Sequence, residues 1–190
     1  CLGDIVEGEL IFPGQSHLID ASLYRQVTVD GPRILHKFFS ILLTEFEEVE
    51  VYWVIGNHGA LGGRSRRDYN PETNADRMLG KILQHMFAQE PRIKFIVPDG
   101  GNEKNWYLVA NIGRKAISAN GLMEPFTHAV CGHYHTPTTM YINDTRVWVN
   151  GSTESYNTFA QEQLASMGRP SQFCLFVKPN KGVTAEYLVN

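Results

Sequence analysis

The chain has 190 residues, a length that fits one domain with a substantial buried core. Hydrophobic residues make up 43% of it and charged residues 19%, which excludes a disordered chain. No apolar run approaches the ~20 residues that a membrane-spanning helix needs, so we expect no membrane partner. The net charge of −3 argues against a uniformly basic nucleic-acid surface but permits a local basic patch.

The three cysteines do not show the spacing of a metal site. Cys131 and Cys174 lie in apolar, strand-like runs, and Cys1 opens the chain. An odd number of cysteines in such surroundings is typical of reduced, buried thiols. We therefore predict a cytoplasmic location.

The front half of the chain alternates predicted helices and strands. Apolar residues recur at helical spacing over 33–48 and over 72–89, which predicts two helices. Runs of β-branched and aromatic residues predict strands at 49–55, 93–97 and 105–110. Strands that alternate with helices indicate parallel β-α-β units.

The back half begins with a predicted helix near 113–121 and a strand at 127–131. It continues as short strands separated by turn residues, which indicates a mostly antiparallel meander. Asn143-Asp144 predicts a hairpin turn within it. The remaining predicted strands lie at 138–142, 146–150, 171–177 and 183–189. Two packed sheets with helices outside satisfy both halves, so the sequence predicts a single α/β domain over residues 1–190.

Three polar motifs each follow an apolar, strand-like run. They are Gly3-Asp4, Gly56-Asn57-His58 and Gly132-His133-Tyr134-His135. Ligands of open α/β sheets bind at the carboxyl ends of the strands, and a glycine lets the chain turn sharply there. The motifs are therefore predicted to meet on one rim, which would gather these side chains: Asp4, Asn57, His58, His133 and His135.

The residue types of these motifs suit one kind of site. A carboxylate, an amide oxygen and imidazoles form a mixed oxygen and nitrogen site, which favours Mn²⁺, Fe or Zn²⁺ over Ca²⁺. One carboxylate can bridge two ions about 3.5–4 Å apart, the spacing that clamps a phosphoryl group. Each motif alone also fits a plain turn, because Gly-Asp and Asn are common in turns. Their joint occurrence favours a functional site.

The order GD, GNH and GHYH resembles that of the calcineurin-like metallophosphoesterases, from Gly3 to the final strands. GDIVEG, GNHG and GHYHTP resemble more narrowly a phage and bacterial branch of this family. The resemblance implies a four-layer αββα sandwich of two mixed β-sheets flanked by helices. It also implies a metal-dependent hydrolase that cleaves phosphate esters.

The resemblance implies a role for each motif residue. Asp4 would bridge two divalent metal ions, Asn57 and His133 would bind one of them, and His135 the other. The ions would be Mn²⁺, with Fe, Zn or Mg as alternatives. His58 would be the general acid that protonates the leaving oxygen while a metal-bound hydroxide attacks phosphorus.

The chain departs from the family pattern in three places. The family opens with Asp-x-His on its first strand, and no such motif precedes Cys1. No histidine follows the predicted strand at 105–110, where the family has one. Gly59 leaves His58 without the usual neighbouring carboxylate. We interpret the domain as lacking its first strand and an internal loop, with a degenerate, metal-poor binding module of the same fold as the alternative.

A basic loop after GNHG suggests the substrate. Arg64, Arg66 and Arg67 are predicted to bind phosphates, and Tyr134 to stack on a base. We therefore predict a phosphodiesterase that is nuclease-like or acts on nucleotides. A phosphomonoesterase and a one-metal hydrolase are the alternatives, because the motifs indicate phosphoryl chemistry and not its substituents.

Overall fold

The computed structural model describes residues 1–61, 70, 72–97, 127–154 and 168–190. In these ranges the protein is mixed α/β, with a few helices and several small sheets. The chain divides into two compact units, Cys1–Tyr107 and Leu108–Asn190. The strand predicted at 105–110, the helix predicted at 113–121, and Arg64, Arg66 and Arg67 lie outside the described residues.

Helices of the first unit begin with a 3-10 turn, Gln15–His17. A continuous helical segment follows, made of α1 (Leu23–Arg25), a π-helical stretch (Gln26–Asp30) and α2 (Gly31–Glu45). The last helix of this unit in the described ranges is α3 (Ala75–Met86). Both helices predicted from apolar spacing are therefore present, although each is shorter than predicted. No helix in the described ranges is long and apolar enough to cross a membrane.

In the described part of the first unit, two parallel strands, β1 (Val49–Tyr52) and β2 (Ile93–Ile96), form a sheet. Helix α3 lies between them in sequence, which confirms the predicted β-α-β unit. The chain start runs alongside the end of β1, where Leu2 forms a parallel bridge with Val54. The Gly3-Asp4 motif therefore follows a single bridge beside the sheet.

The hydrophobic core of the first unit lies between α2, α3 and the β1–β2 sheet. Phe39 of α2 meets Phe95 of β2 edge to face, with ring centroids 5.2 Å apart. Trp53 is 1% exposed, and its indole N–H donates to the carbonyl of Asp76 at 2.9 Å. Gly80 of α3 allows this packing, because a Cβ there would lie 2.9 Å from the indole ring. Apolar burial of this extent is the main stabilising contribution to such a unit.

The second unit contains five strands in the described ranges. They are β3 (His128–Cys131), β4 (Thr138–Ile142), β5 (Thr145–Val149), β6 (Gln172–Lys178) and β7 (Gly182–Val189). One sheet has the order β3-β5-β4, in which β3 is parallel and β4 antiparallel to β5. A separate antiparallel pair joins β6 to β7, with a bulge between Phe176 and Val177.

The back half is thus mostly antiparallel, as predicted, with one parallel pair. The turn at Asn143-Asp144 joins β4 to β5, and Asn143 has a φ of 52°. Asparagine tolerates this left-handed conformation better than most residues, which explains why the dipeptide predicts the turn. Glu186 of β7 accepts hydrogen bonds from Arg146 and Trp148 of β5 and so links the two sheets of this unit.

Candidate functional site

Two of the predicted motifs meet in the first unit. The backbone N–H of His58 donates to Oδ1 of Asp4 at 2.8 Å. Gly56 packs against Asp4 so closely that an added Cβ would overlap its carboxylate and its backbone nitrogen. Gly3, with a φ of 80°, lies equally close to Gly56. The two loops therefore pack backbone against backbone, which only glycine permits at these two positions.

A buried carboxylate holds these loops together. Oδ2 of Asp76 accepts from the backbone N–H of Asp4 at 3.0 Å and of Gly56 at 2.8 Å. Its Oδ1 accepts from Ile5 at 3.0 Å and Val6 at 3.1 Å. Hydrogen bonds to an ionised acceptor are roughly twice as strong as neutral ones. Asp76 therefore fixes the position of the Gly3-Asp4 loop relative to Gly56.

Burial is the main cause that raises the pKa of Asp76, to about 6. The nearby Asp4 carboxylate raises it further, whereas the N–H donors of Gly56, Val6 and Ile5 lower it. The pKa expresses two opposing effects, since burial disfavours the charge and the N–H donors favour it. All four backbone groups that contact the carboxylate are donors, which fits its ionised form.

Asn74 adds a second set of contacts to the same loops. It is the N-cap of α3, where its Oδ1 accepts from the backbone N–H of Asp76 at 2.9 Å and of Arg77 at 3.4 Å. Its Nδ2 donates to the carbonyl of Gly56 at 3.1 Å. Gly59 leaves room for this side chain, because a Cβ there would overlap Asn74 Oδ1. The N-terminus of α3 is thus hydrogen-bonded to both the N–H and the C=O of Gly56, through Asp76 and Asn74.

Asn74 and Asp76 are absent from the residues predicted from sequence. Their signal is an Asn-Ala-Asp sequence directly before the apolar spacing of α3, which is typical of a helix N-terminus. The predicted start at residue 72 is wrong by three residues, because the side chain of Asn74 caps the helix and Ala75 is its first residue. A helix start at Ala75 would have placed the side chains of Asn74 and Asp76 at the end of the helix that contacts the GNH loop.

Asn57 lies in sequence between Gly56 and His58, which both contact Asp4. Its Oδ1 is buried, and no described residue donates a hydrogen bond to it. A buried acceptor left unpaired costs about 1–3 kcal/mol, so such an atom in a folded protein needs an explanation. An amide oxygen is a common ligand of a divalent ion, and the residue types at this position fit such an ion.

The ring of His58 is oriented by the main chain. Its Nδ1 lies 2.7 Å from the carbonyl oxygen of Glu7. A carbonyl only accepts, so Nδ1 carries the proton in this hydrogen bond, and Nε2 is the other ring nitrogen for chemistry. A backbone oxygen therefore orients the ring.

Three predicted metal ligands share an uncommon backbone conformation. Asp4, His133 and His135 have φ values of 49°, 78° and 57°. The other non-glycine residues with positive φ in the described ranges are Asn143 and Asn180, and both lie in turns. Left-handed conformations are uncommon for residues with a Cβ, although Asn, Asp and His adopt them more readily than other types, and they are concentrated at functional sites. This uncommon backbone therefore coincides with three of the predicted ligands.

The third motif lies in the second unit, directly after β3. His133 is exposed, His135 is half-buried, and the ring of Tyr134 meets the His133 ring edge to face at 5.3 Å. Tyr134 is 53% exposed. Within the described residues, no three side chains of His, Cys, Asp or Glu lie close enough to hold a metal ion. Asp4, Asn57 and His58 are thus brought together in one unit, and His133 and His135 in the other.

Comparisons with known proteins identified no relative of this chain. A scan against protein-family models found no match to this chain, and searches of the curated proteins and of the solved structures also found none. The resemblance to metallophosphoesterases therefore rests on the three sequence motifs.

Proposed function

We propose that this protein is a calcineurin-like, metal-dependent phosphoesterase that hydrolyses phosphodiesters, built as a four-layer αββα sandwich. The observation that carries the proposal is the left-handed backbone of Asp4, His133 and His135. Sequence motifs select these three residues as ligands for independent reasons. A backbone strain of about 1–3 kcal/mol at each of them is consistent with a functional constraint.

The proposal includes two divalent metal ions, of which Mn²⁺ fits the mixed oxygen and nitrogen donors of the motifs. The proposed ligands are Asp4 and Asn57 in the first unit and His133 and His135 in the second. The buried Oδ1 of Asn57 supports this assignment, because metal coordination would satisfy it. When bound, such ions polarise a phosphoryl group and lower the pKa of a water molecule.

His58 would supply the proton for the leaving oxygen. Its Nδ1 is engaged by the Glu7 carbonyl, so the proton would leave from Nε2. Its backbone N–H donates to Asp4, so His58 lies next to a predicted metal ligand. General acid catalysis by a positioned histidine contributes typically ~10²–10⁴-fold to the rate.

The predicted substrate is a phosphodiester of a nucleic acid or nucleotide. Arg64, Arg66 and Arg67 follow the GNHG motif and carry the charge that such a substrate needs. Tyr134 presents an exposed ring one residue from each of His133 and His135, a suitable platform for a base. The basic loop and the aromatic ring together favour a diester with an attached nucleoside.

The test is hydrolysis of bis-p-nitrophenyl phosphate with added Mn²⁺ and, separately, with chelator. We expect activity that requires metal and falls by ~10²–10⁴-fold in His58→Ala. Asp4→Asn keeps an acceptor for the His58 N–H but removes the charge, so metal content per chain should fall with activity. His17→Ala is the matched control, because His17 is an exposed histidine of the same unit.

Other outcomes identify the rival functions. Hydrolysis of p-nitrophenyl phosphate but not of the diester would indicate a phosphomonoesterase. One bound metal per chain together with activity would indicate a one-metal hydrolase. No bound metal and no hydrolysis of either ester would contradict the proposal and indicate a binding module.

A further inference from the structure

The carbonyl oxygen of Glu7 accepts two hydrogen bonds from side chains. One comes from Nδ1 of His58 at 2.7 Å and the other from Nε2 of Gln15 at 2.9 Å. Gln15 is 1% exposed, although glutamine is mostly found at protein surfaces. A buried amide of this kind is retained where both of its ends are hydrogen-bonded.

Both ends of the Gln15 amide are hydrogen-bonded. Its Oε1 accepts from the backbone N–H of Ile11 at 2.8 Å, so the side chain closes the loop between residues 7 and 15. The N–H of Glu7 donates to Oε1 of Gln26 in the π-helical stretch at 2.8 Å. The amide of Gln26 is in turn held by the carbonyl of Ala21 at 2.7 Å. The buried Gln15 and the half-buried Gln26 therefore fix the peptide groups on both sides of Glu7.

Gly8 brings this loop against the GNH motif. A Cβ on Gly8 would overlap the carbonyl oxygen of His58, and its φ of 79° is a conformation that favours glycine. The carbonyl that orients the His58 ring is thus part of a loop that contacts both the ring and the backbone of His58. Such a carbonyl has little freedom to follow the ring if the ring turns.

We propose that Gln15 is a positioning residue that acts on His58 through the Glu7 carbonyl. By fixing this carbonyl, Gln15 holds His58 in the tautomer with the proton on Nδ1. The proposal rests on the proposed function only in its kinetic consequence, because the tautomer is a property of the protein without substrate.

The tautomer matters for the proton that His58 transfers. In the acid step a proton moves from Nε2 of the imidazolium to the leaving oxygen, and the ring becomes neutral with its remaining proton on Nδ1. The Glu7 carbonyl accepts from Nδ1 before and after the transfer. The ring therefore reaches the tautomer that this hydrogen bond stabilises, without any rearrangement of the loop.

The neutral ring of free histidine favours the other tautomer, with the proton on Nε2. An acceptor fixed at Nδ1 reverses this preference, as backbone carbonyls do for many functional histidines. Gln15 supplies no charge and does not touch His58 directly, so its effect must pass through the Glu7 carbonyl. The role of Gln15 therefore differs from that of a carboxylate hydrogen-bonded to Nδ1, whose charge would also stabilise the cationic ring.

The experiment measures the ring ¹⁵N shifts of His58 in the full chain, with His58→Ala used for assignment. Protonated and unprotonated ring nitrogens differ widely in shift, so the spectrum of the neutral ring gives the tautomer directly. We compare wild type with Gln15→Glu, which keeps the acceptor for the Ile11 N–H but cannot donate to the Glu7 carbonyl. Gln89→Glu makes the same change at an exposed site of the first unit and is the control.

We expect an Nδ1–H ring in wild type and in Gln89→Glu, and a population shift towards Nε2–H in Gln15→Glu. In the assay with Mn²⁺, kcat of Gln15→Glu should fall about tenfold with KM unchanged, a part of the ~10²–10⁴-fold contribution of a general acid. Gln15→Met removes both hydrogen bonds without adding a charge, and it should show the same shift of tautomer.

Each result decides a separate point. An Nε2–H ring in wild type overturns the inference, whether or not the protein hydrolyses phosphodiesters. An Nδ1–H ring that persists unchanged in both folded Gln15 variants overturns the role of Gln15. An Nδ1–H ring that is lost in these variants, in a protein without hydrolytic activity, supports the inference and refutes the proposed function.

Discussion

The two units hold their candidate site residues in different ways. In the first unit, the loops of Asp4 and Gly56–His58 are joined by the buried Asp76 carboxylate, which accepts four backbone N–H groups. In the second unit, His133 lies exposed after β3, with Tyr134 beside it. The first site therefore keeps its geometry through buried, charge-assisted hydrogen bonds. In the second unit, His133 and His135 share the left-handed backbone of Asp4 and lie just after the end of β3.

The buried clusters of the two units differ in the elements that form them, within the described residues. The core cluster of the first unit draws on α2, α3 and both strands of its sheet. In the described part of the second unit, the corresponding cluster consists of Cys131, Val147 and Val149, with Trp148 also buried. The comparison teaches that buried hydrogen bonds to Asp76 fix the motif loops of the first unit, and it makes three predictions.

Replacing the buried carboxylate should have the largest effect. In Asp76→Asn an amide NH₂ replaces one acceptor oxygen, so two backbone N–H groups of the first unit lose their partner. We expect the free energy of unfolding of this unit to fall by about 3 kcal/mol. Amide hydrogen exchange of Asp4, Ile5, Val6 and Gly56 measures it. Asp20→Asn, at an exposed position, is the control. Unchanged protection in Asp76→Asn would show that the comparison is wrong.

Filling the space beside Asn74 should have an intermediate effect. In Gly59→Ala the new Cβ would overlap Asn74 Oδ1 and lie 2.9 Å from the backbone nitrogen of Asp76. We expect a loss of about 2 kcal/mol in the first unit, since the cap and the Gly56 contact must shift. Chemical denaturation measures it. Gly168→Ala is the matched control, because no atom of the described residues lies within 4 Å of a Cβ there. Equal stability of the two variants would contradict the close packing around Asn74.

Neutralising a carboxylate of the second unit should have the smallest effect. Glu186 accepts from Arg146 and from the indole of Trp148, but its side chain is 37% exposed. We expect Glu186→Gln to lower the free energy of unfolding of this unit by about 0.5 kcal/mol, as for other exposed ion pairs. Hydrogen exchange of β5 amides measures it, with Asp144→Asn in the β4–β5 turn as control. A loss as large as that of Asp76→Asn would remove the difference between the units.

Local sequence patterns predicted most of the described elements. The apolar spacing over 33–48 and 72–89 located α2 and α3, although only part of each predicted stripe is buried. Leu79 and Leu83 are buried in α3, whereas Met78 and Met86 are exposed. A helix buries only the face that meets the sheet, and spacing alone does not say which flanking residues that face includes.

The candidate site was predicted only in part. The motifs identified Asp4, Asn57 and His58, which meet in the first unit. They did not identify Asp76, whose carboxylate is bonded to the backbone of Asp4, 72 residues away along the chain. The residues next to Asp76 in sequence are typical of an ordinary helix N-terminus. A contact made through backbone N–H groups leaves no pattern in the side chains of the partner loop.

The sequence by itself determined the order of helices and strands, the hairpin turn at Asn143-Asp144, and the placement of polar motifs after strand-like runs. These follow from local periodicity and turn chemistry, which act over a few residues. Tertiary structure alone decided that Asp76 joins two loops and that a backbone carbonyl orients His58. These contacts link residues 20 to 72 positions apart, and their geometry exists only once the core has packed.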